Sequence, residues 1–346
     1  MFELRRLGSS DLAVSPICLG TMTFGQQNSE TEAHAQLDLA LARGVNFFDT
    51  AELYAVPPRA ETYGATERIV GTWLRRQARD RVVLATKVVG AGRRFDWIRD
   101  GAPCLDRKNI RAALHASLER LQTDYVDLYQ LHWPERNQPM FGQWQYDPTA
   151  ERDGTPIRAQ LEALKELVDE GKIRYVGVSN EHPWGIAEFL RCAREYDLPR
   201  VVSIQNAYNL LNRVFDYGLA EVCHRGQVSL LAYSPLAFGH LTGKYLRNPD
   251  AAGRLTEFPG FGARYQKPRV REAVAAYQAL ASEAGMAMTR MALSWIYHRW
   301  SVASTILGAT SIDQLTENLD AWSDPLSPDL LEAIDAIHLG FTNPAP

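Results

Sequence analysis

Eight short apolar runs alternate with longer amphipathic segments along the 346-residue chain, and this alternation constrains the fold more than any other feature. The longer segments, such as residues 29–44, 107–121 and 157–172, carry apolar residues at helical spacing. Alternating strands and helices predict an α/β fold with a parallel sheet and right-handed crossovers. Eight strands in a chain of this length favour a closed (β/α)8 TIM barrel over an open doubly wound sheet. The eight runs occupy residues 16–20, 45–49, 82–87, 125–132, 173–180, 201–206, 228–234 and 304–309.

The start of the chain supports this architecture. The segment FELRRLGSSDLAVSPI predicts a β-hairpin with a GSSD turn, so a hairpin is expected to precede the barrel. No G-x-G-x-x-G follows the run at 16–20, which disfavours the open sheet that binds dinucleotides through that fingerprint. The sequence has no internal repeat and no low-complexity tract. Residues 1–346 are therefore expected to form a single barrel domain.

Three connections, 51–63, 134–155 and 235–267, are too long for simple barrel loops. Each follows a strand, and each is therefore expected on the carboxyl-terminal face of the barrel, where such loops build active sites. The region of the second connection is rich in aromatic residues that could form one wall of a substrate pocket. These residues are Trp133, Phe141, Trp144 and Tyr146.

Composition argues against several kinds of partner and site. A net charge of −4 gives no reason to expect nucleic acid or an anionic membrane as a partner. No apolar run has the length of a membrane span, and residues 1–15 lack the apolar stretch of a signal peptide, so a cytoplasmic location is expected. The cysteines lack the spacing of a zinc site or a disulfide framework, so no metal is expected. They are Cys18, Cys104, Cys192 and Cys223.

Polar residues close three consecutive apolar runs. Asp49 ends the second run, Lys87 the third and His132 the fourth, while Tyr54 follows Asp49 by a short loop step. In a barrel these positions meet at the carboxyl-terminal face, where polar residues at strand ends are typical of active sites. Each residue alone could be ordinary: a helix cap, a solvated lysine or a satisfied core histidine. Their joint occurrence predicts a shared catalytic site.

The chemistry of this set is coherent. A phenol with a pKa of about 10 is a weak acid at neutral pH unless its phenolate is stabilised. A neighbouring ammonium provides that stabilisation, and a carboxylate holds the ammonium charged and oriented. A histidine can bind the substrate oxygen, so the set could protonate a carbonyl oxygen while a cofactor delivers hydride. The set contains no nucleophile with a matching base, which disfavours covalent acyl or glycosyl transfer.

The sequence resembles the aldo-keto reductase family nearly end to end, and within it the bacterial Tas-like branch and the wider group that includes potassium-channel β subunits. The resemblance implies NADPH-dependent reduction of an aldehyde or ketone, with Asp49, Tyr54, Lys87 and His132 as the catalytic tetrad and Tyr54 as general acid. The matching segments are LGTMTFG (19–25), GVNFFDTAELY (44–54), ATK (85–87), DYVDLYQLHWP (124–134), GKIRYVGVSN (171–180), IQNAYNLLNR (204–213), LLAYSPLAFGHLTGKY (230–245) and ILGATSIDQLTEN (306–318).

The same resemblance implies a site for NADPH or NADP+ that extends across the barrel mouth. Ser179, Asn180 and Gln205 would bind the nicotinamide carboxamide, and Tyr233 would stack on the ring. Lys244 would lie near the pyrophosphate, which a loop would hold through its backbone. That loop consists of Ser234, Pro235, Leu236, Ala237 and Gly239. Without the resemblance, the Ser–Asn pair could simply cap a helix and Gln205 could tie down a loop.

At the adenosine end, Thr310 and Gln314 match positions near the 2′-phosphate, and Glu317 and Asn318 match positions that hold the adenine. For Glu317 and Asn318 a solvated helix face is an alternative interpretation. Three further positions complete the predicted cofactor set alongside Asp49: Thr21, Met22 and Gly308.

Two departures from the family pattern affect these assignments. Tyr54 is followed by AVPPRAE rather than by glycine, and a second Tyr–Gly pair occurs at Tyr63–Gly64. The spacing from Asp49 favours Tyr54 as proton donor, with Tyr63 as the alternative. The 2′-phosphate end lacks the basic residues of some branches, so Arg254 or Arg264 from the long third connection would supply the charge.

Three functions remain open from the sequence. The favoured one is NADPH-dependent reduction of a small-molecule carbonyl compound. The second is an NADP(H)-binding regulatory or interaction protein whose slow chemistry reports redox state to a partner. The third, a barrel isomerase or lyase acting on sugar phosphates, is disfavoured because no glycine-rich phosphate site follows the late strands. Neither the substrate nor the oligomeric state is predicted.

Overall fold

The computed structural model, which describes residues 2–93 and 95–346, is a closed barrel of eight parallel strands surrounded by helices. A two-stranded antiparallel hairpin precedes it, so the predicted (β/α)8 barrel and its N-terminal hairpin are both confirmed. The hairpin strands are β1 (Arg5–Arg6) and β2 (Ala13–Val14). The barrel strands are β3 (Ile17–Gly20), β4 (Phe47–Asp49), β5 (Val83–Val88), β6 (Val126–Leu131), β7 (Ile173–Ser179), β8 (Val201–Ala207), β9 (Ser229–Tyr233) and β10 (Val302–Leu307).

The strands follow one another around the barrel in chain order, and β10 pairs with β3 to close it. All six residues of β5, β6 and β10 are buried, because helices cover the outside of the barrel and side chains fill its interior. The helices are α1 (Glu30–Ala42), α2 (Ala65–Leu74), α3 (Arg107–Leu121), α4 (Ile157–Asp169), α5 (Pro183–Glu195), α6 (Leu219–Gly226), α7 (Lys244–Arg247), α8 (Arg254–Glu257), α9 (Val270–Glu283), α10 (Met288–Tyr297), α11 (Ile312–Asp320) and α12 (Pro328–Gly340).

Helix α1 begins where the sequence predicts, at a capping box. The Ser29 side chain accepts a hydrogen bond from the Glu32 backbone, and the Glu32 carboxylate accepts one from Ser29 N. Helices α3 and α4 likewise lie within the predicted segments 107–121 and 157–172. No helix in the part of the chain that the structure describes is long and apolar enough to cross a membrane.

The hairpin closes one end of the barrel. Leu7, Leu12 and Val14 are buried and pack with interior residues such as Cys18 and Phe47. Its backbone is also anchored to strand beginnings, because Gly8 N donates to Ser229 Oγ at 2.8 Å. The hairpin therefore plugs the amino-terminal end, which leaves the carboxyl-terminal end as the open mouth.

Candidate active site

Three of the four predicted catalytic residues lie on adjacent strands at the open mouth. Asp49 is the last residue of β4, Lys87 lies near the end of β5, and His132 directly follows β6. These strands are neighbours in the barrel, with Asp49 opposite Ala85 and Lys87 opposite Gln130. Tyr54 lies on a tight turn after β4, where its backbone N–H donates to Ala51 O. The structure therefore brings the predicted tetrad together.

The Lys87 ammonium is fully buried and makes three hydrogen bonds. Its Nζ atom lies 2.5 Å from Asp49 Oδ2, 2.9 Å from the Thr50 carbonyl oxygen and 3.2 Å from Tyr54 OH. An ammonium has three hydrogens to donate and cannot accept, so the Tyr54 oxygen is the acceptor in its bond. The Tyr54 hydroxyl hydrogen finds no acceptor among residues 2–93 and 95–346, and it is therefore free to donate to a ligand in the mouth.

Burial and charge set the protonation of this pair. Burial lowers the pKa of Lys87, but Asp49 and Tyr54 more than offset this, so its pKa lies above the ordinary value and the side chain stays charged. Burial raises the pKa of Tyr54, and the neighbouring Lys87 charge opposes that rise. Tyr54 is therefore a protonated phenol held against a permanent positive charge.

Two amides hold the second oxygen of Asp49. Gln130 Nε2 donates to Asp49 Oδ1 at 3.0 Å, and Gln205 Nε2 donates to the same atom at 2.9 Å. Gln130 is buried, and sequence reasoning missed it. A signal was present, because Gln130 lies two residues before His132 and strand side chains alternate with period two. The Gln205 side-chain nitrogen Nε2 donates to protein groups, which leaves the side-chain oxygen Oε1 for a bound carboxamide.

His132 is held as a neutral imidazole beside Tyr54. The two rings lie 5.8 Å apart, edge to face, and His132 Nδ1 is buried without a hydrogen-bond partner among the described residues. Burial, together with the charges of Lys87 and Arg93, lowers the pKa of His132 well below its ordinary value. A neutral histidine can bind a substrate oxygen or orient a bound ligand through its other ring nitrogen, Nε2.

The predicted carboxamide residues form a network across β6 to β9. Asn180 Nδ2 donates to the His132 carbonyl oxygen at 2.9 Å, and its Oδ1 accepts from Tyr233 OH at 2.8 Å. Ser179 Oγ donates to the backbone carbonyl oxygen of Gln205 at 2.8 Å. Asn180 therefore ties the His132 backbone to Tyr233. Its role toward a cofactor stays a prediction.

The predicted pyrophosphate loop has an unusual backbone. Ser234, Ala237, Phe238 and Gly239 all have positive φ angles, between 48° and 96°. Ala237 N donates to Ser234 O and Gly239 N donates to Leu236 O, so the turn is held in shape by its own hydrogen bonds. The ideal Cβ position of Gly239 lies 3.4 Å from Lys244 Nζ, so this glycine lets the ammonium approach the loop closely.

Two cations beside this loop lack a carboxylate partner. Burial lowers the pKa of Lys244, the nearby Glu257 charge opposes this, and the Arg254 charge lowers the pKa further. Arg254 is half-buried over the Phe238 ring, 4.8 Å from its centroid. Neither charge forms an ion pair with any residue that the structure describes. Two nearby cations without an ion pair beside this loop fit the pyrophosphate of a dinucleotide, since a bound anion would relieve their repulsion.

The predicted adenosine-end residues lie just before α11 and within its first two turns. Gln314 Oε1 accepts from both the backbone N–H and the hydroxyl of Thr310, each at 3.1 Å. Glu317 is exposed, whereas Asn318 is buried. In the described part of the chain, no hydrogen bond or ion pair links Arg254 or Arg264 to Thr310 or Gln314, and Arg264 instead lies against Tyr233 and Tyr265. Charge for a 2′-phosphate therefore stays a prediction.

The remaining predicted cofactor positions surround the strand ends. Thr21 is buried and its hydroxyl donates to the Asp49 carbonyl oxygen at 2.9 Å. Met22 is half-buried, and Gly308 is exposed after β10. The predicted aromatic wall is divided: Trp133 and Phe141 pack edge to face with ring centroids 6.4 Å apart, whereas Trp144 and Tyr146 lie in solvent.

Tyr63 lies in a different environment from Tyr54. Its hydroxyl donates to Glu52 Oε2 at 3.2 Å, and the Arg120 guanidinium lies 5.3 Å from its ring centroid. Burial and the Glu52 charge raise the pKa of Tyr63 well above its ordinary value. Glu52 is itself fully buried and paired with Arg99. The Tyr63 proton is therefore committed to a structural ion network rather than to Lys87.

Comparisons with known proteins agree with this arrangement. The model of the aldo/keto reductase family matches residues 16–339. Protein tas of Escherichia coli is 50% identical over 346 residues, covering 99% of this chain and 100% of that protein. An aldo-keto reductase of Babesia bovis is 38% identical over 76% of this chain and 98% of its own. A probable voltage-gated potassium channel subunit beta of rice is 30% identical over 97% of this chain and 96% of its own. The chain therefore belongs to the aldo/keto reductase family of oxidoreductases.

Proposed function

We propose that this protein is a single-domain, NADPH-dependent reductase that converts an aldehyde or ketone to an alcohol, with Tyr54 as general acid. The observation that carries the proposal is the hydrogen bonding of Lys87. Because all three ammonium hydrogens are donated, Tyr54 accepts from Lys87 and its own proton points to other acceptors. A carbonyl oxygen in the mouth is such an acceptor.

Each residue of the tetrad has a distinct part in this proposal. Tyr54 transfers its proton to the substrate oxygen, and Lys87 stabilises the phenolate that remains. Asp49 keeps Lys87 charged and oriented, and it is in turn held by Gln130 and Gln205. The neutral His132 binds the carbonyl oxygen and aligns it with Tyr54.

NADPH, when bound, supplies the hydride that reduces the carbonyl carbon. The loop Ser234–Gly239, with Lys244 and Arg254, would hold the pyrophosphate. Tyr233 and the side-chain Oε1 atom of Gln205 would receive the nicotinamide end.

A panel of small aldehydes and ketones tests the proposal, with the loss of NADPH absorbance as readout. We expect multiple turnovers, with NADPH preferred over NADH in a titration. The similarity to a potassium channel subunit supports a second candidate, a regulatory protein that reports redox state through slow chemistry. A single turnover followed by very slow release of NADP+ would favour the regulator and contradict the reductase.

The rate of reduction at saturating substrate is expected to stay level from about pH 6.5 to about pH 9. An acid catalyst loses its proton as the pH rises through its pKa, and burial raises the pKa of Tyr54 above its ordinary value. The pKa of His132 is lowered, so this residue is already neutral throughout the range. Measurement of kcat at constant ionic strength checks this. A loss of rate centred between pH 7 and about 8 would contradict the assigned acid.

A further inference from the structure

The charges around the mouth indicate a class of substrate. We propose that the carbonyl substrate carries a negatively charged group, a carboxylate or a phosphate, and that the Arg93 guanidinium binds this group. The inference rests on the reductase function proposed above and extends it to substrate selection. It depends on the position of Arg93, on the loop that fixes it and on its lack of an acidic partner.

Arg93 packs against two aromatic rings beside the catalytic histidine. Its guanidinium carbon is 4.1 Å from the Phe141 ring centroid and 5.3 Å from that of Trp133. The Trp133 ring packs on His132, with centroids 4.9 Å apart. The Arg93 charge helps to lower the pKa of His132, which directly follows β6. Arg93 therefore stands at the reactive end of the mouth, while its side chain remains accessible to solvent.

The segment that carries Arg93 is fixed by buried groups. Glu135, which is 3% exposed, accepts a hydrogen bond from Ala91 N at 3.0 Å, and Trp133 Nε1 donates to Ala91 O at 2.8 Å. Two residues earlier, Val89 N donates to the buried Glu52 carboxylate at 2.6 Å. Both polar groups of the Ala91 backbone are thus held, so Arg93 is presented from a defined position.

No carboxylate among residues 2–93 and 95–346 pairs with Arg93, and the same holds for two cations that contact Gly142, the residue after Phe141. Lys267 Nζ donates to the Gly142 carbonyl oxygen at 2.5 Å, and Arg264 packs against Gly142. Both cations therefore lie at Gly142, the residue that follows Phe141, and Arg264 also lies against Tyr233. In a protein of net charge −4, such a local excess of positive charge is typical of a site that binds an anion.

A guanidinium that packs against aromatic rings and has no acidic partner is suited to bind carboxylate or phosphate. It donates two parallel hydrogen bonds to either group, and stacking leaves its donor edge free. With the carbonyl at Tyr54 and the anion at Arg93, a substrate would be held at both ends of the pocket. This arrangement would favour an anionic aldehyde over a neutral one of the same shape.

Three aldehydes of similar size test the inference with NADPH: 4-formylbenzamide, 4-carboxybenzaldehyde and 4-formylphenyl phosphate. In Arg93→Gln, kcat/KM for at least one anionic aldehyde relative to the amide should fall about 10- to 100-fold, mainly through KM. Reduction of the amide should change little, and Arg93→Lys should retain part of the preference. Because each ratio is compared between variants, differences in intrinsic aldehyde reactivity cancel. The aldehyde affected more identifies the anion.

Arg158→Gln is the matched control. Arg158 also lies over an aromatic ring, 3.9 Å from the Tyr196 centroid, but it is paired with Glu162 on the outer helix α4. Its ratios should equal those of the parent protein. Unchanged ratios in Arg93→Gln would overturn the inference while the reductase assignment stood.

A binding measurement separates this failure from failure of the proposed function. Calorimetric titration of 4-carbamoylbenzoate into the NADP+-saturated protein should show affinity that Arg93→Gln weakens about tenfold or more. Arg93-dependent binding without turnover of any aldehyde would refute the reductase assignment and retain the anion site. Binding that does not depend on Arg93 would refute the anion site.

Discussion

Replacing Tyr54 by Phe should lower kcat for carbonyl reduction by about 10²- to 10⁴-fold, the usual contribution of a positioned general acid. The substitution removes only the hydroxyl that Lys87 contacts at 3.2 Å, and it retains the ring that packs against His132. NADPH affinity, measured by fluorescence titration, should therefore change little. A large loss of kcat with retained cofactor binding would identify Tyr54 as the proton donor.

Tyr63→Phe provides a control with the same chemical change at the competing position. The Tyr63 hydroxyl donates to Glu52 and has no hydrogen bond to Lys87. This variant should keep kcat within a few-fold of the parent and show a modest loss of stability, about 1 kcal/mol for the lost hydrogen bond. The opposite outcome, with full rate in Tyr54→Phe and a lost rate in Tyr63→Phe, would transfer the acid role to Tyr63.

Replacing Lys87 by Met should have the second large effect, on both stability and rate. Lys87 and Asp49 are almost fully buried, with 0% and 2% of their side chains exposed. Removing the ammonium leaves the carboxylate without its charge partner, which costs about 3–5 kcal/mol for buried pairs. The phenolate of Tyr54 would also lose its stabilisation, so reduction should become very slow. Urea unfolding and NADPH oxidation measure the two effects.

A double variant separates these two effects. Lys87→Met with Asp49→Asn removes the stranded charge, so it should regain much of the lost stability while remaining inactive. As a control, Lys165→Met removes an exposed ion pair with Asp169 and should leave stability almost unchanged. If Lys87→Met alone were as stable as the parent, or retained its rate, the proposed role of the pair would be wrong.

The barrel could be predicted because its signal is local. Each strand and each helix carries its own apolar pattern, and eight alternating strand–helix units commonly form a closed barrel. The assembly of Asp49, Lys87 and His132 also followed from local order, since residues at the ends of adjacent parallel strands must meet at one face. The contact of Gln130 with this site could have been predicted in the same way, because Gln130 lies two residues before His132 and shares its inward face.

The sequence by itself therefore determined the fold, the family and the meeting of Asp49, Lys87 and His132 at the strand ends. The tertiary structure decided which loop groups reach that site. It placed the Tyr54 hydroxyl against Lys87 and the Tyr63 hydroxyl against Glu52, a distinction that spacing only favoured. It also placed the Arg93 guanidinium against the Trp133 and Phe141 rings. Long loops have no repeating pattern, and their course depends on buried hydrogen bonds and ion pairs to distant residues, such as Glu135 with Ala91, that only the folded chain brings together.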